Sequence, residues 1–156
     1  MKVIFIDIDG VLATAPCWSM SRDNKWDAYP FDKKAVKVLN TILEETGAEM
    51  VLSSDWKHYY TMNQMKEIFT ELNGVIKAPF DRTPFSEEYT ALNLGGGRVT
   101  EINMWLKENK EKLGITHWVA VDDLKMFELE NFVQCPKSME GIKQSGVKEK
   151  ILKFLS

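Results

Sequence analysis

The sequence has few cysteines and no long hydrophobic run. Cys17 and Cys135 are the only cysteines among its 156 residues. Their spacing matches neither a zinc motif nor a disulfide framework, so we expect a reducing, cytoplasmic environment. The apolar run that begins the chain ends at Asp7, which makes it too short for a signal peptide. No stretch is long enough to span a bilayer, and we therefore expect no membrane association.

An excess of positive charge is also absent. The formal net charge is −3, with 44% hydrophobic and 28% charged residues. This composition is typical of a globular protein rather than of a general coat for nucleic acid, although a local basic patch remains compatible with it. The sequence contains no internal repeat, low-complexity tract or linker, and we predict a single domain over residues 1–156.

Hydrophobic patterning predicts alternating strands and helices. Apolar and β-branched runs predict strands at Val3–Ile8, Ala48–Leu52, Val75–Ala78, His117–Val121 and Phe132–Gln134. Helical spacing predicts one helix between Asp32 and Gly47, and others at Met62–Leu72, Ile102–Leu113 and Val147–Leu155. Residues Phe80–Gly97 resemble a loop. This order predicts an α/β fold, a Rossmann-like three-layer α/β/α sandwich with a central, mostly parallel sheet.

Acidic residues follow the first predicted strand, in Asp7-Ile8-Asp9-Gly10. Such residues are common in solvated turns, so the tetrapeptide alone leaves a turn and a functional site equally open. A calcium-binding loop is disfavoured, because Phe5 and Pro16 stand where oxygen ligands are needed. Open parallel sheets bind ligands beyond the carboxyl ends of their strands, which is where these acids lie.

A second acidic pair, Asp122-Asp123, follows the apolar strand that ends at Val121. Either acid could cap a following helix. Two carboxylates about 4 Å apart repel by roughly 4 kcal/mol at an effective dielectric of about 20, and Asp7 and Asp9 add to this repulsion. A divalent cation would relieve it. The absence of nearby Cys or His ligands favours Mg²⁺ over zinc.

Two further features are compatible with phosphate binding. Ser53 and Ser54 follow the second predicted strand, where hydroxyl and backbone N–H groups can hold a phosphate oxygen, although serine in a turn is commonly structural. Arg98 precedes the third predicted helix and could clamp a phosphate. An exposed surface arginine would look the same in sequence, and Lys77 and Arg82 are alternatives for this role.

Taken in order, these motifs resemble those of the haloacid dehalogenase superfamily over essentially the whole chain. Phe5-Ile6-Asp7-Ile8-Asp9-Gly10-Val11 is similar to the first motif, Val51-Leu52-Ser53-Ser54 to the second, Arg98 to the third and Val119-Ala120-Val121-Asp122-Asp123 to the fourth. The first and fourth motifs are specific in combination, whereas the second and third are permissive. The segment Ser53-Ser54-Asp55-Trp56 also resembles small bacterial and phage members.

The resemblance implies a Mg²⁺-dependent phosphomonoester hydrolase. Asp7 would attack phosphorus and form an aspartyl-phosphate, while Asp9 would protonate the leaving group and then activate water. An acid at Asp9 is typical of the family's phosphatases rather than of its dehalogenases or pump ATPases. The family pattern assigns the metal ion to Asp7, the Asp9 carbonyl and Asp123, with Asp122 beside it, and the phosphoryl group to Ser53, Ser54 and Arg98.

The segments between these motifs are too short for a full cap domain, and an open site suits a large substrate. Two groups of aromatic residues could stack a base, or could pack their segments against the body. They are Trp18, Trp26 and Tyr29, interleaved with Arg22 and Lys25, and then Trp56, Tyr59 and Tyr60. We expect a nucleotide or nucleic-acid end as substrate, with a phosphoprotein as the alternative. A second subunit of a homo-oligomer could supply a lid.

A different class of function stays open. A receiver-type signalling domain also has an acidic Mg²⁺ pocket, but it would carry Lys-Pro at a late strand end, where this chain has Cys135-Pro136-Lys137. A phosphate-binding protein without catalysis is the other alternative, although every acid that the chemistry needs is present. Turnover, as opposed to a stable phospho-aspartate, would separate an enzyme from both classes.

Overall fold

The computed structural model describes residues 1–86 and 94–156, and at its centre is a five-stranded sheet. Its strands are β1 (Lys2–Ile6), β2 (Glu49–Leu52), β3 (Asp81–Arg82), β4 (His117–Asp122) and β5 (Phe132–Gln134). The helices are α1 (Lys33–Thr46), α2 (Met62–Glu67), α3 (Leu94–Asn109) and α4 (Val147–Leu155), and α2 continues into a π-helical segment, Ile68–Leu72. All neighbouring strands are parallel, which confirms the predicted α/β fold.

The strand order creates a crevice between β1 and β4. Across the sheet the order is β3-β2-β1-β4-β5, so the chain moves outward to β3 and then returns past β1. Because connections between parallel strands are right-handed, this reversal puts α3 on the face opposite α1 and α2. Two separate hydrophobic layers cover the two faces accordingly. Ligands of open α/β sheets bind at such a reversal, beyond the carboxyl ends of the strands.

Local sequence signals set the limits of α1 as predicted. The Asp32 side chain accepts a hydrogen bond from the Ala35 N–H at 2.9 Å, which satisfies one of the unpaired donors at the helix start. Gly47 ends the helix with a φ of 67°, a left-handed conformation that glycine adopts without steric cost. Between these caps, Leu39 and Ile42 are fully buried against the sheet. The helix limits are therefore set by residues of the helix itself, and its apolar side chains attach it to the sheet.

The third strand does not lie where the sequence predicts it. The segment Val75–Ala78 is not a strand, and the Ile76 N–H instead donates to the Asn40 side chain at 3.0 Å. Pairing with β2 begins only at Phe80, whose N–H donates to a β2 carbonyl at 3.0 Å. Pro79 has no N–H to contribute to a ladder, so the strand forms after it rather than before it.

Helix α3 also begins earlier than predicted, since its range includes Gly97 and Arg98. Glycine in a helix costs about 1 kcal/mol relative to alanine, which is why the sequence favours a loop there. Buried ion pairs from Arg98 and Glu101 to other elements supply tertiary contacts that outweigh this preference. The rest of the predicted loop, residues 87–93, lies outside the described residues.

Within residues 1–86 and 94–156, no inserted α/β unit covers the carboxyl ends of the strands. The long segment between β1 and α1 contains a short 3₁₀ turn, Ala15–Ser19, as its regular structure. None of the described helices is long and apolar enough to cross a membrane. The crevice at the strand ends is therefore bordered by loops, as expected for a chain without a full cap domain.

Candidate active site

The carboxylates of Asp7, Asp122 and Asp123 meet in the crevice between β1 and β4. The strand register pairs Ile6 with Val121, so Asp7 and Asp122 come next and lie side by side. The Asp7 N–H donates to the Val121 carbonyl at 3.2 Å, which extends the sheet pairing to the site itself. One oxygen from each acid lies within 4.8 Å of the others. The sheet thus places the three predicted acids together.

Gly10 allows the loop after β1 to pass directly against Asp123. Its φ is 77°, and a Cβ atom at this position would lie 2.5 Å from the Asp123 Oδ2 atom. A side chain would therefore need both a strained backbone and a displaced carboxylate. This contact gives a structural reason for glycine directly after Asp9 in the first motif.

Arg98 lies between the acids of the two strands. From the first turns of α3, its Nη1 atom contacts Asp7 Oδ2 at 2.9 Å and Asp122 Oδ2 at 2.8 Å. Its Nη2 atom contacts Asp55 Oδ1 at 3.1 Å. The arginine is 5% exposed, so it is not the free surface residue that the sequence left open. A buried guanidinium with several carboxylate partners is held in a fixed orientation.

Negative charge exceeds positive charge in this crevice. Within the described part of the chain, Arg98 is the only basic residue that forms an ion pair with Asp7 or Asp122. Burial raises the pKa of Asp7 well above its usual range, despite the opposing attraction of Arg98. Burial likewise raises the pKa of Asp122 and of Asp123 to about 6. The acids would ionise more readily if a further cation were bound.

These acids fit a hard divalent cation. All three donors are carboxylate oxygens, which Mg²⁺ prefers, and the described residues place no Cys or His in the cluster. The Asp7 Oδ1 atom is buried and has no hydrogen-bond partner among the described residues. An unpaired buried oxygen beside two further acids is what a cation would satisfy. The arrangement therefore agrees with Mg²⁺, the metal that the sequence predicts.

The two serines after β2 have different surroundings. The Ser53 N–H donates to the Ile6 carbonyl at 2.9 Å, which holds this residue beside β1. Its buried Oγ atom has no partner among the described residues and remains available to a phosphate oxygen. The Ser54 Oγ atom accepts from the Trp56 N–H at 3.2 Å and caps a 3₁₀ turn. Ser54 thus has a structural contact, and its predicted phosphate contact remains a prediction.

The Asp9 carboxylate lies outside the group formed by Asp7, Asp122 and Asp123, and its contacts are with aromatic residues. Its carboxylate accepts a short hydrogen bond from the Tyr29 hydroxyl and another from the Trp56 Nε1–H at 3.2 Å. Burial, together with the bond to Asp9, raises the pKa of Tyr29, which therefore stays a donor. Two fixed donors orient the carboxylate and stabilise its charge. The proposed metal ligand at this residue is its carbonyl oxygen, which the side-chain orientation does not affect.

The alternatives to Arg98 lie elsewhere. Lys77 pairs with Glu49 at 3.1 Å. Glu49 is the first residue of β2, so this pair lies at the amino ends of the strands, whereas Asp7 lies beyond their carboxyl ends. The Arg82 Nη1 atom donates to the Lys57 carbonyl at 3.3 Å. Of the three candidate bases, Arg98 is the one that the structure brings against Asp7.

Several contacts of the site are not indicated by any motif in the sequence. The hydrogen bonds from Tyr29 and Trp56 to Asp9 span 20 and 47 positions along the chain, and no local pattern marks them. Asp55 lies within a recognised motif, but that motif does not predict its ion pair with Arg98. The buried pair of Lys57 and Glu101 is also not predicted. Only the separation of Glu101 from Arg98 by three positions, which puts both on one side of a helix, could have indicated it.

Fold and site together define an α/β protein with acids and a buried arginine at the switch point of a parallel sheet, the arrangement expected for transfer of phosphoryl groups. The chain belongs to the haloacid dehalogenase (HAD) superfamily, because residues 3–147 match the family described as the HAD domain in Swiss Army Knife RNA repair proteins. The predicted superfamily is thereby confirmed. HAD proteins are generally hydrolases and generally use Mg²⁺. Neither a curated protein nor a solved structure matches the chain.

Proposed function

We propose that this protein is a Mg²⁺-dependent phosphomonoester hydrolase that acts on nucleotides or the phosphorylated ends of nucleic acids. The observation that carries the proposal is the contact of Arg98 with both Asp7 and Asp122, beside two buried polar atoms that have no partner in the described part of the chain. Those atoms are Asp7 Oδ1 and Ser53 Oγ. Leaving such an atom unpaired costs about 1–3 kcal/mol, so the site is better satisfied with a ligand than without one.

The residues supply each part of a two-step hydrolysis. In the first step Asp7 forms a bond to phosphorus, the bond from phosphorus to the leaving oxygen breaks, and Asp9 gives its proton to that oxygen. In the second step Asp9 takes a proton from water. The water oxygen attacks phosphorus, the bond to Asp7 breaks, and inorganic phosphate leaves. Tyr29 and Trp56 stabilise the charge on Asp9 after it has donated its proton.

The transferred group carries negative charge that the site must balance. Arg98 and the Ser53 hydroxyl would bind its oxygens. Asp7, the Asp9 carbonyl and Asp123 would hold Mg²⁺, with Asp122 beside it. The ion would supply the remaining positive charge for the phosphoryl oxygens.

Two observations support a nucleotide or nucleic-acid substrate. The matched family is described from RNA repair proteins. Moreover, the described residues include no cap domain over the crevice, so a long chain could bring its end to Asp7. A phosphoprotein would also fit an open crevice, and the experiment must therefore include one.

Phosphate release from a panel of substrates tests the proposal. The panel contains nucleoside monophosphates, 3′- and 5′-phosphorylated oligonucleotides, phosphoserine and phosphotyrosine peptides and an aryl phosphate, each with Mg²⁺ and with chelator. We expect turnover that requires Mg²⁺, is fastest on nucleotide substrates and is lost in Asp7→Asn. Release from no substrate, by a protein that still binds Mg²⁺, would contradict the hydrolase assignment. Preference for the phosphopeptides would keep the chemistry and change the substrate.

A further inference from the structure

The two groups of aromatic residues noted in the sequence form one cleft beside Asp9. The cleft has a volume of about 450 Å³, within the range of about 300–1,000 Å³ that small ligands occupy. Its aromatic lining consists of Trp26, Tyr29, Trp56, Tyr59 and Tyr60. We call it the aromatic cleft. Trp18 is not part of it, and its indole donates to the Ala13 carbonyl at 3.0 Å.

Hydrogen bonds within the protein fix four of these rings. The partners are Glu67 for Trp26, the Trp26 carbonyl for Tyr60, and Asp9 for both Tyr29 and Trp56. Because their polar atoms are engaged within the protein, the parts of these side chains that line the cleft offer ring surface rather than free hydrogen-bonding groups, although Trp56 itself is 6% exposed. Rigid rings lose little conformational entropy when a ligand binds. Tyr59 lies at the rim, where it is 77% exposed.

The aromatic cleft adjoins the position of the leaving group. A general acid must lie about 2.6–3.2 Å from the atom that it protonates, so the leaving oxygen would lie beside Asp9. Tyr29 and Trp56 hold this carboxylate and also form the cleft wall. A leaving nucleoside would therefore extend from Asp9 into the aromatic cleft. Arg22 also lines the cleft, with its guanidinium carbon 4.8 Å from the centre of the Tyr29 ring, and so do the acidic residues Asp27 and Asp55.

We propose that the aromatic cleft binds, by stacking, the base of the nucleotide whose phosphate is removed. This inference rests on the proposed function and specifies its leaving group. Every base has a π-face, so stacking accepts any base, and affinity should depend on the presence of a base more than on its identity. Two neighbouring surfaces of the protein thus divide the work: the acid cluster takes the phosphate, and the aromatic cleft takes the nucleoside.

Paired oligonucleotides test the inference without turnover. Asp7→Asn protein is titrated by fluorescence anisotropy with labelled oligonucleotides whose phosphorylated terminal nucleotide either carries a base or is abasic. We expect the base to tighten binding by about 5- to 150-fold, the range that corresponds to 1–3 kcal/mol per stacked base. The four bases should differ little among themselves.

Variants locate the effect. Tyr59→Ala and Trp26→Leu, each in the Asp7→Asn background, should reduce the ratio between base-bearing and abasic affinities. Phe127→Ala is the control, because Phe127 is 68% exposed and does not line the aromatic cleft, and it should leave the ratio unchanged. Equal affinities for the two oligonucleotides, or a ratio that neither cleft variant lowers, would overturn the inference. Tighter binding of a phosphotyrosine peptide would also overturn it.

The same pair of oligonucleotides, assayed for phosphate release as well as for binding, separates the two proposals. If wild-type protein hydrolyses base-bearing and abasic phosphates at equal kcat/KM, the hydrolase assignment stands and the aromatic cleft is not a base site. If base-dependent binding is found but no substrate is hydrolysed, the stacking site stands and the hydrolase assignment falls.

Discussion

Helix α3 carries two buried charged side chains into contrasting surroundings. Arg98 meets the strand-end acids, with ion pairs to Asp7 and Asp122 at 2.9 and 2.8 Å. Glu101, three positions further along, meets Lys57 at 2.9 Å. Both clusters are buried and both join α3 to other elements. They differ in whether the protein alone satisfies them.

The cluster around Lys57 and Glu101 is complete. Both side chains are 2% exposed, and one positive charge meets one negative charge. The Lys57 ammonium also donates to the Thr83 hydroxyl at 2.9 Å and to the Pro84 carbonyl at 3.0 Å. The second carboxylate oxygen of Glu101 accepts from the Ser86 N–H at 2.9 Å. A buried pair with its donors and acceptors filled leaves nothing for a ligand, so its role is to hold the structure.

The cluster around Arg98 is incomplete. One guanidinium faces three carboxylates within ion-pair distance. The nearby Asp7 Oδ1 and Ser53 Oγ atoms have no partner among the described residues. Charge and hydrogen bonding are therefore both unbalanced in the direction that a cation and a phosphate would correct. The two clusters thus differ physically in completeness: protein groups satisfy the one around Lys57 and Glu101, and the one around Arg98 has room for further partners.

The largest effect is expected from Asp7→Asn, which removes the nucleophile. Phosphate release should fall by at least about 10⁴-fold, as for the loss of a nucleophile in other enzymes. Without metal, the variant should also be more stable than wild type, because burial disfavours the charge of Asp7 more than its ion pair with Arg98 favours it. Phosphate release and urea unfolding in chelator measure the two effects. Asp23→Asn, at an exposed position, is the control, and a destabilised Asp7→Asn would contradict the charge argument.

Breaking the complete cluster should reduce stability instead. Removing one partner of a buried ion pair typically costs about 3–5 kcal/mol, so Lys57→Met should lower the urea midpoint strongly. Burial already lowers the pKa of Lys57, with Glu101 opposing that shift, and the pair holds this charge in place. Lys57→Met with Glu101→Leu should recover a substantial part of the loss.

Lys77→Met serves as the matched control for this experiment. Its pair with Glu49 is 30% and 38% exposed, and such pairs contribute about 0–1 kcal/mol. Equal losses of stability against urea in Lys57→Met and Lys77→Met would show that burial does not distinguish the two ion pairs.

The pH dependence of stability should identify the incomplete cluster. Burial raises the pKa of Asp122 and Asp123 to about 6, against an ordinary value of 3.8. Between these values the folded protein binds more protons than the unfolded chain, so this contribution to stability falls as pH rises through the window. Unfolding in chelator should therefore show a smaller decline with pH in Asp123→Asn than in wild type. Mg²⁺ should stabilise wild type more at pH 8 than at pH 5. If the free energy of unfolding in chelator depends on pH identically in wild type and Asp123→Asn, the argument from the raised pKa of Asp123 is contradicted.

The sequence predicts the acids of the site well, because their position depends on local pattern. Each acid directly follows an apolar run, and parallel strands end on the same side of the sheet. Local pattern therefore places Asp7 and Asp122 at strand ends, the family resemblance implies that they share one site, and the register of β1 and β4 agrees. The limits of α1 are predicted equally well, since Asp32 and Gly47 act within one helical turn.

Contacts between distant segments could not be predicted in this way. The pairing that fixes β3 depends on β2 backbone groups, and the early start of α3 depends on acids from other elements. The convergence of Trp26 and Trp56 on one cleft likewise depends on how two loops meet. These features need the assembled sheet, because no local periodicity or turn chemistry specifies them.

The smallest effect is expected from Asp55→Asn, which removes the partly exposed ion pair between Asp55 and Arg98. The Asp55 side chain is 43% exposed, whereas Asp7 and Asp122 are 2% and 1% exposed. An exposed ion pair contributes at most about 1 kcal/mol, so Asp55→Asn should lower kcat/KM by up to about fivefold and leave Mg²⁺ binding nearly unchanged. Phosphate release and metal titration measure this. A loss of activity as large as that of Asp7→Asn would mean that Asp55 is as necessary for the reaction as Asp7. The catalytic site would then include this partly exposed carboxylate.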